Sequence, residues 1–401
     1  MEPKKPSDYP QDLVDVVLLY QRGGISRRGF LDRAAKFAVG GLTTAAILES
    51  VPPGVASAQS ARKRPQRTAV VGCDHWHAAN YARILQTLEK TDLVGVSAPD
   101  SGIASKFAEQ FHTTAYTDFR TMIEKTKPEF VAALGHVAAM PGEFRFLVDA
   151  GIPFVMEKPW GLDPKTVNDL ADYAESKKAW VSYSAPSRYT TFSDTFLAMR
   201  KKGELGILSH GIFRFNQGSV QRYLDNGNPW NIVKKESGGG CAANLGIHGV
   251  DLCRYLTGEE PKVVAAVTSH LLHKREVEDY CLITLRTPSG IIFHAESSYT
   301  FPAKNGGDGL RSFTAEKAFL TTPDSGVTGD NGLQIIRPDG HAETIKPSDG
   351  YVTGWPAVMK DCLDRIAKGQ PPFATARDGA RNAALVFDAY KMAGEKLASE
   401  T

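Results

Sequence analysis

Short apolar runs alternate with amphipathic segments over the first half of the chain. The amphipathic segments carry apolar residues at helical spacing and begin at His77, Ala104, Pro141 and Asn168. The apolar runs have the length and composition of buried strands, at Arg67–Gly72, Asp92–Ser97, Phe130–Leu134, Ile152–Met156 and Trp180–Tyr183. This alternation predicts a parallel, doubly wound sheet in which the carboxyl ends of the strands share one edge, where ligands bind.

The pattern changes from about Arg188 onwards. After a helix at Phe192–Lys202, apolar and polar residues alternate with period two along Leu208–Gln217, Val263–His273, Asp279–Thr287 and Ile291–Tyr299. Such alternation is typical of an antiparallel sheet with one wet face. We expect a hairpin turn at residues 287–290, exposed glycine-rich loops at 305–309 and 324–332, and two closing helices at Val352–Lys368 and Thr375–Ser399.

Together these patterns predict an α/β protein of two domains. A Rossmann-type dinucleotide-binding domain is expected over residues 65–186, and an α+β domain with a large, mostly antiparallel, open-faced sheet over 187–401. The second domain would supply substrate contacts, and its open face makes a homo-oligomer plausible. The length of 401 residues suits two domains, and a formal net charge of +2 argues against a nucleic-acid groove.

Residues 1–58 resemble a twin-arginine export signal. Ser26-Arg27-Arg28-Gly29-Phe30-Leu31 is followed by a moderately apolar stretch at Phe37–Leu48 and then by the small-residue cleavage pattern Ala56-Ser57-Ala58. This order predicts recognition by the twin-arginine export machinery and a periplasmic or otherwise extracytoplasmic mature protein. An amphipathic helix of the folded protein, or an uncleaved anchor, is the alternative.

Three motifs in the mature chain carry chemistry. Val155-Met156-Glu157-Lys158-Pro159 ends a buried strand, and Ser187-Arg188-Tyr189 follows the last strand of the first domain. Gly238-Gly-Gly-Cys-Ala-Ala-Asn244-Leu-Gly-Ile-His248-Gly-Val-Asp251 places three glycines before a helix on which Asn244 and His248 share a face. In this order they resemble the Gfo/Idh/MocA oxidoreductases, the family of glucose–fructose oxidoreductase and inositol dehydrogenase. The resemblance runs from about Arg67 to the C-terminus.

The resemblance implies roles for these residues. Lys158 would lie between nicotinamide and the substrate hydroxyl, and His248 would take the hydroxyl proton. Asn244 stands where the family usually has aspartate, so it would orient its neighbours without supplying a charge. We expect substrate contacts from residues in the matched motifs and from one aromatic ring that suits a sugar face: Arg188, Tyr189, Asp251 and Trp230.

The first loop departs from the dinucleotide-binding pattern G-x-G-x-x-G. It reads Gly72-Cys73-Asp74-His75-Trp76-His77, so only the first glycine is kept. Asp74 would place a carboxylate beside the pyrophosphate, which His75 or His77 would offset if protonated. The cofactor contacts that we expect, for a tightly bound NAD or NADP, are Gly72, Asp74, His75, Trp76, His77, Ala98, His136, Glu157 and Lys158. Asp100 lies too late for the usual ribose contact, and no arginine beside it marks a 2′-phosphate site.

Two functions remain open at this point. The first is an exported NAD(P)-dependent oxidoreductase acting on a hydroxyl of a sugar, polyol or glycoside. The second is a non-redox member of the fold that binds carbohydrate, or uses a metal held by Asp74, His75 and His77 together with His136 or Glu157.

Overall fold

The computed structural model describes residues 65–88, 90–304, 306–325, 329–330, 332–346 and 354–400. The export signal predicted over residues 1–58 lies outside this part of the chain. Within the described ranges, no helix has both the length and the apolar character needed to cross a membrane.

The first domain contains a six-stranded parallel sheet, as predicted. The strands follow the order β3-β2-β1-β4-β5-β6, so the chain crosses over between β3 and β4. Their bounds are Gln66–Val71 (β1), Thr91–Ser97 (β2), Ala115–Tyr116 (β3), Phe130–Ala133 (β4), Phe154–Met156 (β5) and Val181–Tyr183 (β6). The sheet core is almost wholly apolar because helices cover both faces, which explains the continuous apolar runs in the sequence.

Five helices connect these strands: Ala78–Thr87 (α1), Ser101–Gln110 (α2), Phe119–Thr126 (α3), Met140–Asp149 (α4) and Pro164–Ser176 (α5). Asp100 caps α2, because its Oδ1 accepts a hydrogen bond of 2.9 Å from the Ile103 amide. This capping role explains why an acidic residue stands at position 100, which lies too far beyond the end of β2 for the usual ribose contact. The prediction missed β3 and α3, since a two-residue strand and an eight-residue helix give little periodic signal.

The second domain is built on a nine-stranded sheet. Eight strands follow the order β15-β14-β12-β11-β7-β10-β9-β8, and β13 pairs with β12. Their bounds are Leu208–Gly218 (β7), Lys262–Ser269 (β8), Tyr280–Arg286 (β9), Ile292–Phe301 (β10), Gly307–Ala315 (β11), Phe319–Ser325 (β12), Gly329–Asp330 (β13), Leu333–Ile336 (β14) and Ala342–Ile345 (β15). The sheet is mostly antiparallel as predicted, but β7 and β10 pair in parallel.

The prediction of exposed loops at residues 305–309 and 324–332 was wrong in part. Residues 307–309 begin β11, and residues 324–325 end β12. Glycine and aspartate content suggested exposed loops there, yet pairing of β11 with both β7 and β12 supplies the backbone hydrogen bonds. The turn at residues 287–290 is confirmed, since the Gly290 amide donates to the Thr287 carbonyl between the antiparallel strands β9 and β10.

The last helices of the chain return to the first domain. The helices after residue 190 are Thr191–Lys201 (α6), Gln221–Asp225 (α7), Lys234–Ser237 (α8), Ile247–Thr257 (α9), Gly354–Ala367 (α10) and Ala376–Met392 (α11). α10 packs on α1, and α11 packs on α5 and α9. Two apolar clusters therefore contain residues of both domains, and they fix the second domain over the carboxyl edge of the parallel sheet.

Candidate active site

Glu157 and Lys158 follow β5 at the carboxyl edge of the parallel sheet. The Glu157 carboxylate is buried and accepts hydrogen bonds from the Tyr81 hydroxyl (2.7 Å) and the Ser184 hydroxyl (3.3 Å). Burial alone would raise the pKa of Glu157, but contact with His77 and the charge of Lys158 hold it well below its usual range. The Glu157 carboxylate is therefore a buried negative charge on the residue next to Lys158.

The Lys158 ammonium is held by the second domain. It donates to the side-chain Oδ1 of Asn244 at 2.6 Å and to the carbonyl oxygen of Asn244 at 2.7 Å. Burial lowers the pKa of Lys158, and the nearby Arg222 charge acts in the same direction. Asn244 is fixed in turn, because its Nδ2 donates to the hydroxyls of Tyr223 (2.7 Å) and Tyr299 (3.0 Å). Asn244 thus orients the lysine without forming an ion pair.

His248 lies one helical turn after Asn244, on α9. Its side chain is buried, and within the described residues its ring makes no hydrogen bond. Burial, together with the charge of Lys158, lowers the pKa of His248 to about 3. The imidazole is therefore neutral near pH 7 and available to accept a proton beside a positively charged lysine.

A buried carboxylate shapes the turn that leads to Asn244. Residues 242–246 form a π-helical turn before α9. Glu278 accepts hydrogen bonds of 2.8 Å from the amides of Gly240 and Ala242. A Cβ on Gly240 would overlap the Glu278 backbone, so glycine is needed at this close approach. No local pattern indicated a role for Glu278, since it lies on a different strand connection from the two amides that it binds.

In the first loop, Gly72 keeps the backbone conformation that the dinucleotide pattern requires, whereas the other two glycine positions carry side chains. Gly72 has φ +77°, and a Cβ there would lie 2.5 Å from the Leu134 carbonyl group. α1 begins only at Ala78, so residues 73–77 form a turn before the helix. His77 is buried in that turn, with Nδ1 3.4 Å from the Glu157 carboxylate. The position of the third glycine is thus occupied by an imidazole that faces the active-site carboxylate.

Asp74 is paired with His136 rather than with its sequence neighbours. Its carboxylate lies 2.9 Å from His136 Nε2, and its carbonyl accepts a hydrogen bond from the Asn228 side chain. The Trp230 ring stacks on His136 at 4.4 Å between centroids. Burial would lower the pKa of His136, but its hydrogen bond and ion pair with Asp74 raise it. Trp230 and Asn228 therefore bring the second domain onto the loop, and His136 offsets the charge of Asp74.

This arrangement corrects the expectation that His75 or His77 would carry the compensating charge. Burial lowers the pKa of both rings, and His75 Nδ1 accepts the His77 backbone N–H at 3.0 Å. The proposed metal site at Asp74, His75 and His77 is also wrong, because the three side chains have separate partners. In the described ranges, no three His, Cys, Asp or Glu side chains are arranged to hold a metal ion.

A cleft of about 310 Å³ follows the carboxyl ends of β1 to β4. Gly72, Asp74, Ala98 and His136 line it, as expected for a dinucleotide site, together with Arg120. The fit to a dinucleotide is good where backbone must approach closely, since Gly72 has no side chain and Ala98 has a small one. Arg120 was not anticipated, because it enters from the start of α3 and not from the end of β2.

Three of the four expected substrate contacts have structural partners instead. The Arg188 guanidinium donates to Asp251 (2.7 Å), and Asn382 donates to the same carboxylate (2.7 Å). The Tyr189 hydroxyl donates to Asp361 on α10. These bonds join the turn after β6 to α9, α10 and α11, so we assign Arg188, Asp251 and Tyr189 a structural role. Trp230 stacks on His136, which lines the cleft, and its substrate contact stays a prediction.

Arg222 is a buried charged residue near Lys158 that was not predicted from the sequence. It lies on the short helix α7, and its guanidinium packs 5.4 Å from the Trp76 ring and 4.7 Å from the Tyr223 ring. The Arg222-Tyr223 pair directly after a long strand is the only local signal, and such pairs are too common to be noticed without a structure.

Comparison with known proteins agrees with this architecture. Residues 66–184 match the oxidoreductase family with an NAD-binding Rossmann fold, and residues 195–318 match the GFO/IDH/MocA C-terminal domain. The two matches together cover more than half of the chain and correspond to the two sheets described above.

Similar proteins include enzymes that act on sugars. The chain is 23% identical to D-glucoside 3-dehydrogenase of Escherichia coli K12 over 334 residues, which are 74% of this chain and 90% of that enzyme. An inositol dehydrogenase homolog from Azotobacter vinelandii in complex with NAD+ superposes with a TM-score of 0.72 at 17% identity, covering 83% of this chain and 96% of that one. Aldose-aldose oxidoreductase from Caulobacter crescentus, in complex with glycerol, gives 0.70 at 19% identity, covering 82% and 98%. With its NAD-binding Rossmann domain and matching C-terminal domain, this chain belongs to the Gfo/Idh/MocA family of oxidoreductases.

Proposed function

We propose that this oxidoreductase converts a secondary hydroxyl of a sugar, polyol or glycoside into a ketone. The observation that carries the proposal is the juxtaposition of Lys158 and His248. Lys158 would donate a hydrogen bond to the hydroxyl oxygen and stabilise the charge that develops there. His248, neutral and without a hydrogen bond to any described residue, would accept the hydroxyl proton.

NAD or NADP, when bound, supplies the acceptor for the hydride that leaves the substrate carbon. Gly72, Ala98 and the Asp74–His136 pair line the cleft that would hold it. The pairing of Asp74 with His136 supports this function, because a neutralised pair repels a pyrophosphate less than an isolated carboxylate would.

The direct test is to follow the formation of reduced nicotinamide by absorbance with a panel of sugars, polyols and glycosides. We expect turnover with at least one of them and its loss in His248→Gln. Lys165→Ala, which changes an exposed lysine on α5, is the control that should keep full activity. Absence of NAD and NADP binding by calorimetry, with no turnover across the panel, would contradict the proposal.

We also propose that the protein is exported with its cofactor already bound. The twin arginines, apolar stretch and small-residue site in residues 1–58 support this, since the twin-arginine route carries folded proteins. A tightly held cofactor would then be reoxidised by a second substrate. Replacing Arg27 and Arg28 by lysine should leave the full-length precursor in the cytoplasm. The exported protein should release NAD or NADP on denaturation, identified by mass.

The non-redox alternative has one observation in its favour. Asp74 and His77 stand where the dinucleotide pattern has its second and third glycines. Carbohydrate binding that is equally tight with and without added dinucleotide, and no oxidation of the bound sugar, would favour this alternative.

Association into a homo-oligomer remains a proposal. The edge strand β8 and the turn after it expose apolar side chains, among them Val267 (55% exposed) and Leu271 (81% exposed). Light scattering of Val267→Lys and of the unchanged protein would test it, and an unchanged monomer mass for both would exclude it.

A further inference from the structure

Arg222 is a buried arginine without an acidic partner. Its side chain is 8% exposed, and its hydrogen bond to a described residue is the one from NH2 to the Tyr223 hydroxyl at 2.8 Å. Its Nε is buried without a partner. Within the described ranges, no carboxylate lies within ion-pair distance of the guanidinium, which packs instead against the rings of Tyr223, Trp76 and Tyr299.

The other two buried arginines provide a comparison within the same molecule. Arg188 pairs with Asp251 and Asp378, and Arg254 pairs with Glu260 and Asp378. A buried guanidinium normally has such partners, because an unpaired charge away from water is unfavourable. Contacts with aromatic faces compensate only in part. Arg222 therefore differs from the two other arginines that are buried in the described part of the chain.

A second positive charge near Arg222 makes the lack of an anionic partner there more unfavourable. Lys158 is a second cation nearby, and both charges act to lower the pKa of His77. Glu157 is an acidic group that acts on Lys158, but its carboxylate already contacts Tyr81, Ser184 and His77. An anionic ligand would complete the balance of charge.

Arg222 is connected to the reacting end of the cleft. The Tyr223 hydroxyl that it binds also accepts a hydrogen bond from Asn244, and Asn244 holds Lys158. Asp74 and His136, by contrast, lie on the dinucleotide side, in the cleft along β1 to β4. A ligand group that meets Arg222 would thus lie close to the hydroxyl that Lys158 binds.

We propose that the substrate carries a carboxylate that binds Arg222, so that the preferred substrates are sugar acids or their glycosides. This inference rests on the proposed function for the reacting hydroxyl and adds the class of substrate. The planar guanidinium presents its donors in a fixed fork, which suits a carboxylate. A site built for a charged group discriminates strongly against analogues that lack it.

The test compares sugars that differ only in the acidic group. Glucose with glucuronate, galactose with galacturonate, and glucitol with gluconate are titrated by calorimetry at constant ionic strength, with inorganic phosphate as a control anion. We expect one acid to bind at least about tenfold more tightly than its neutral partner. Arg222→Gln should abolish this preference, and Arg222→Lys should keep a part of it. Arg381→Gln, which changes an exposed arginine, should keep all of it.

Stability distinguishes this role from simple packing. Removal of an unpaired buried charge should leave the melting temperature of Arg222→Gln unchanged or higher. A lower melting temperature, with the acid preference retained in Arg222→Lys and Arg222→Gln, would show a packing role and overturn the proposal.

The outcomes separate this inference from the proposed function. Oxidation of neutral sugars, with equal binding of the acids, would overturn the carboxylate site and leave the oxidoreductase assignment standing. Acid binding that depends on Arg222, without oxidation of any acid, would support the carboxylate site and count against the proposed reaction. Weaker NAD binding in Arg222→Gln, with unchanged acid binding, would assign Arg222 to the dinucleotide phosphates and overturn the inference.

Discussion

The two ends of the cleft preserve the family pattern in different ways. At the reacting end the side chains are kept: Lys158 and His248 stand where the family has them, and Asn244 alone departs. At the dinucleotide end the side chains have changed, since Asp74, Trp76 and His77 fill the loop. What persists there is Gly72 with φ +77° and the close contact with β4.

The difference follows from what each end must do. Proton transfer needs particular functional groups at particular distances, so few replacements are tolerated. A dinucleotide is held largely by backbone amides and by the shape of a strand–turn–helix, and these survive changes of side chain if the new charges are balanced. In this chain the balance comes from His136, a residue on a neighbouring strand connection.

The largest effect is expected from Lys158→Ala. Loss of a charged contact to the developing alkoxide costs on the order of 3 kcal/mol, so kcat/KM should fall by roughly a hundredfold or more. The melting temperature should change little, because Asn244 keeps its bonds to Tyr223 and Tyr299. Steady-state kinetics and thermal unfolding, with Lys165→Ala as control, measure both effects. Activity within threefold of the unchanged protein would, by the same relation, remove Lys158 from the mechanism.

The sequence predicted the order of the elements and the reacting pair, but not which groups would meet across the domains. Apolar periodicity located β1, β2, β4, β5 and β6, because burial on both faces leaves a continuous apolar run. β11 and β12 were not predicted, since glycine and polar residues interrupt their apolar positions and β11 also pairs with the distant strand β7.

Pairings between distant residues account for the errors at the site as well. Asp74 with His136, and Arg188 with Asp251, join residues more than sixty positions apart, and no local pattern indicates such pairs. Arg188 and Asp251 lie within family motifs, which favoured a substrate role. The structure shows that a motif residue also holds the domains together. Tyr189 was misassigned for the same reason, because its partner Asp361 lies on a helix near the end of the chain.

A smaller effect, opposite in sign, is expected at the dinucleotide end. Asp74→Gly removes a carboxylate from the cleft, and with it the repulsion of a pyrophosphate, so pyrophosphate should bind better. At an effective dielectric constant near 20, one pair of like charges several ångströms apart is worth roughly 2–4 kcal/mol before screening, so we expect about tenfold tighter binding of NAD. Calorimetry measures the affinity directly.

His136→Gln is the matched control for the charge argument. It leaves Asp74 uncompensated, so NAD should bind more weakly than in the unchanged protein, and Asp74→Gly should restore binding in the double variant. Equal NAD affinity in all four proteins would mean that neither side chain acts on the dinucleotide. The distinction drawn between the two ends would then be wrong at this loop.

The smallest effect, and the most specific, is expected in the pH dependence of Asn244→Asp. His248 must be neutral to accept a proton, and burial with the Lys158 charge lowers the pKa of His248 to about 3. In the unchanged protein kcat/KM should therefore persist as the pH falls through the ordinary histidine range.

An aspartate at position 244 would contact the Lys158 ammonium and oppose its effect on the imidazole. The pKa of His248 should rise, and the acid limb of the profile should move upward by about one pH unit, which corresponds to about 1.4 kcal/mol. Activity near pH 8 should change much less than activity at about pH 3 to 4, because the imidazole is neutral at the higher pH in both proteins. Asn168→Asp, an amide-to-acid change on α5, is the control whose profile should match that of the unchanged protein. An acid limb that stays in place in Asn244→Asp would show that His248 does not take the proton. The residues of the family pattern would then be present at the reacting end, but His248 would not carry out the proton transfer that the pattern implies.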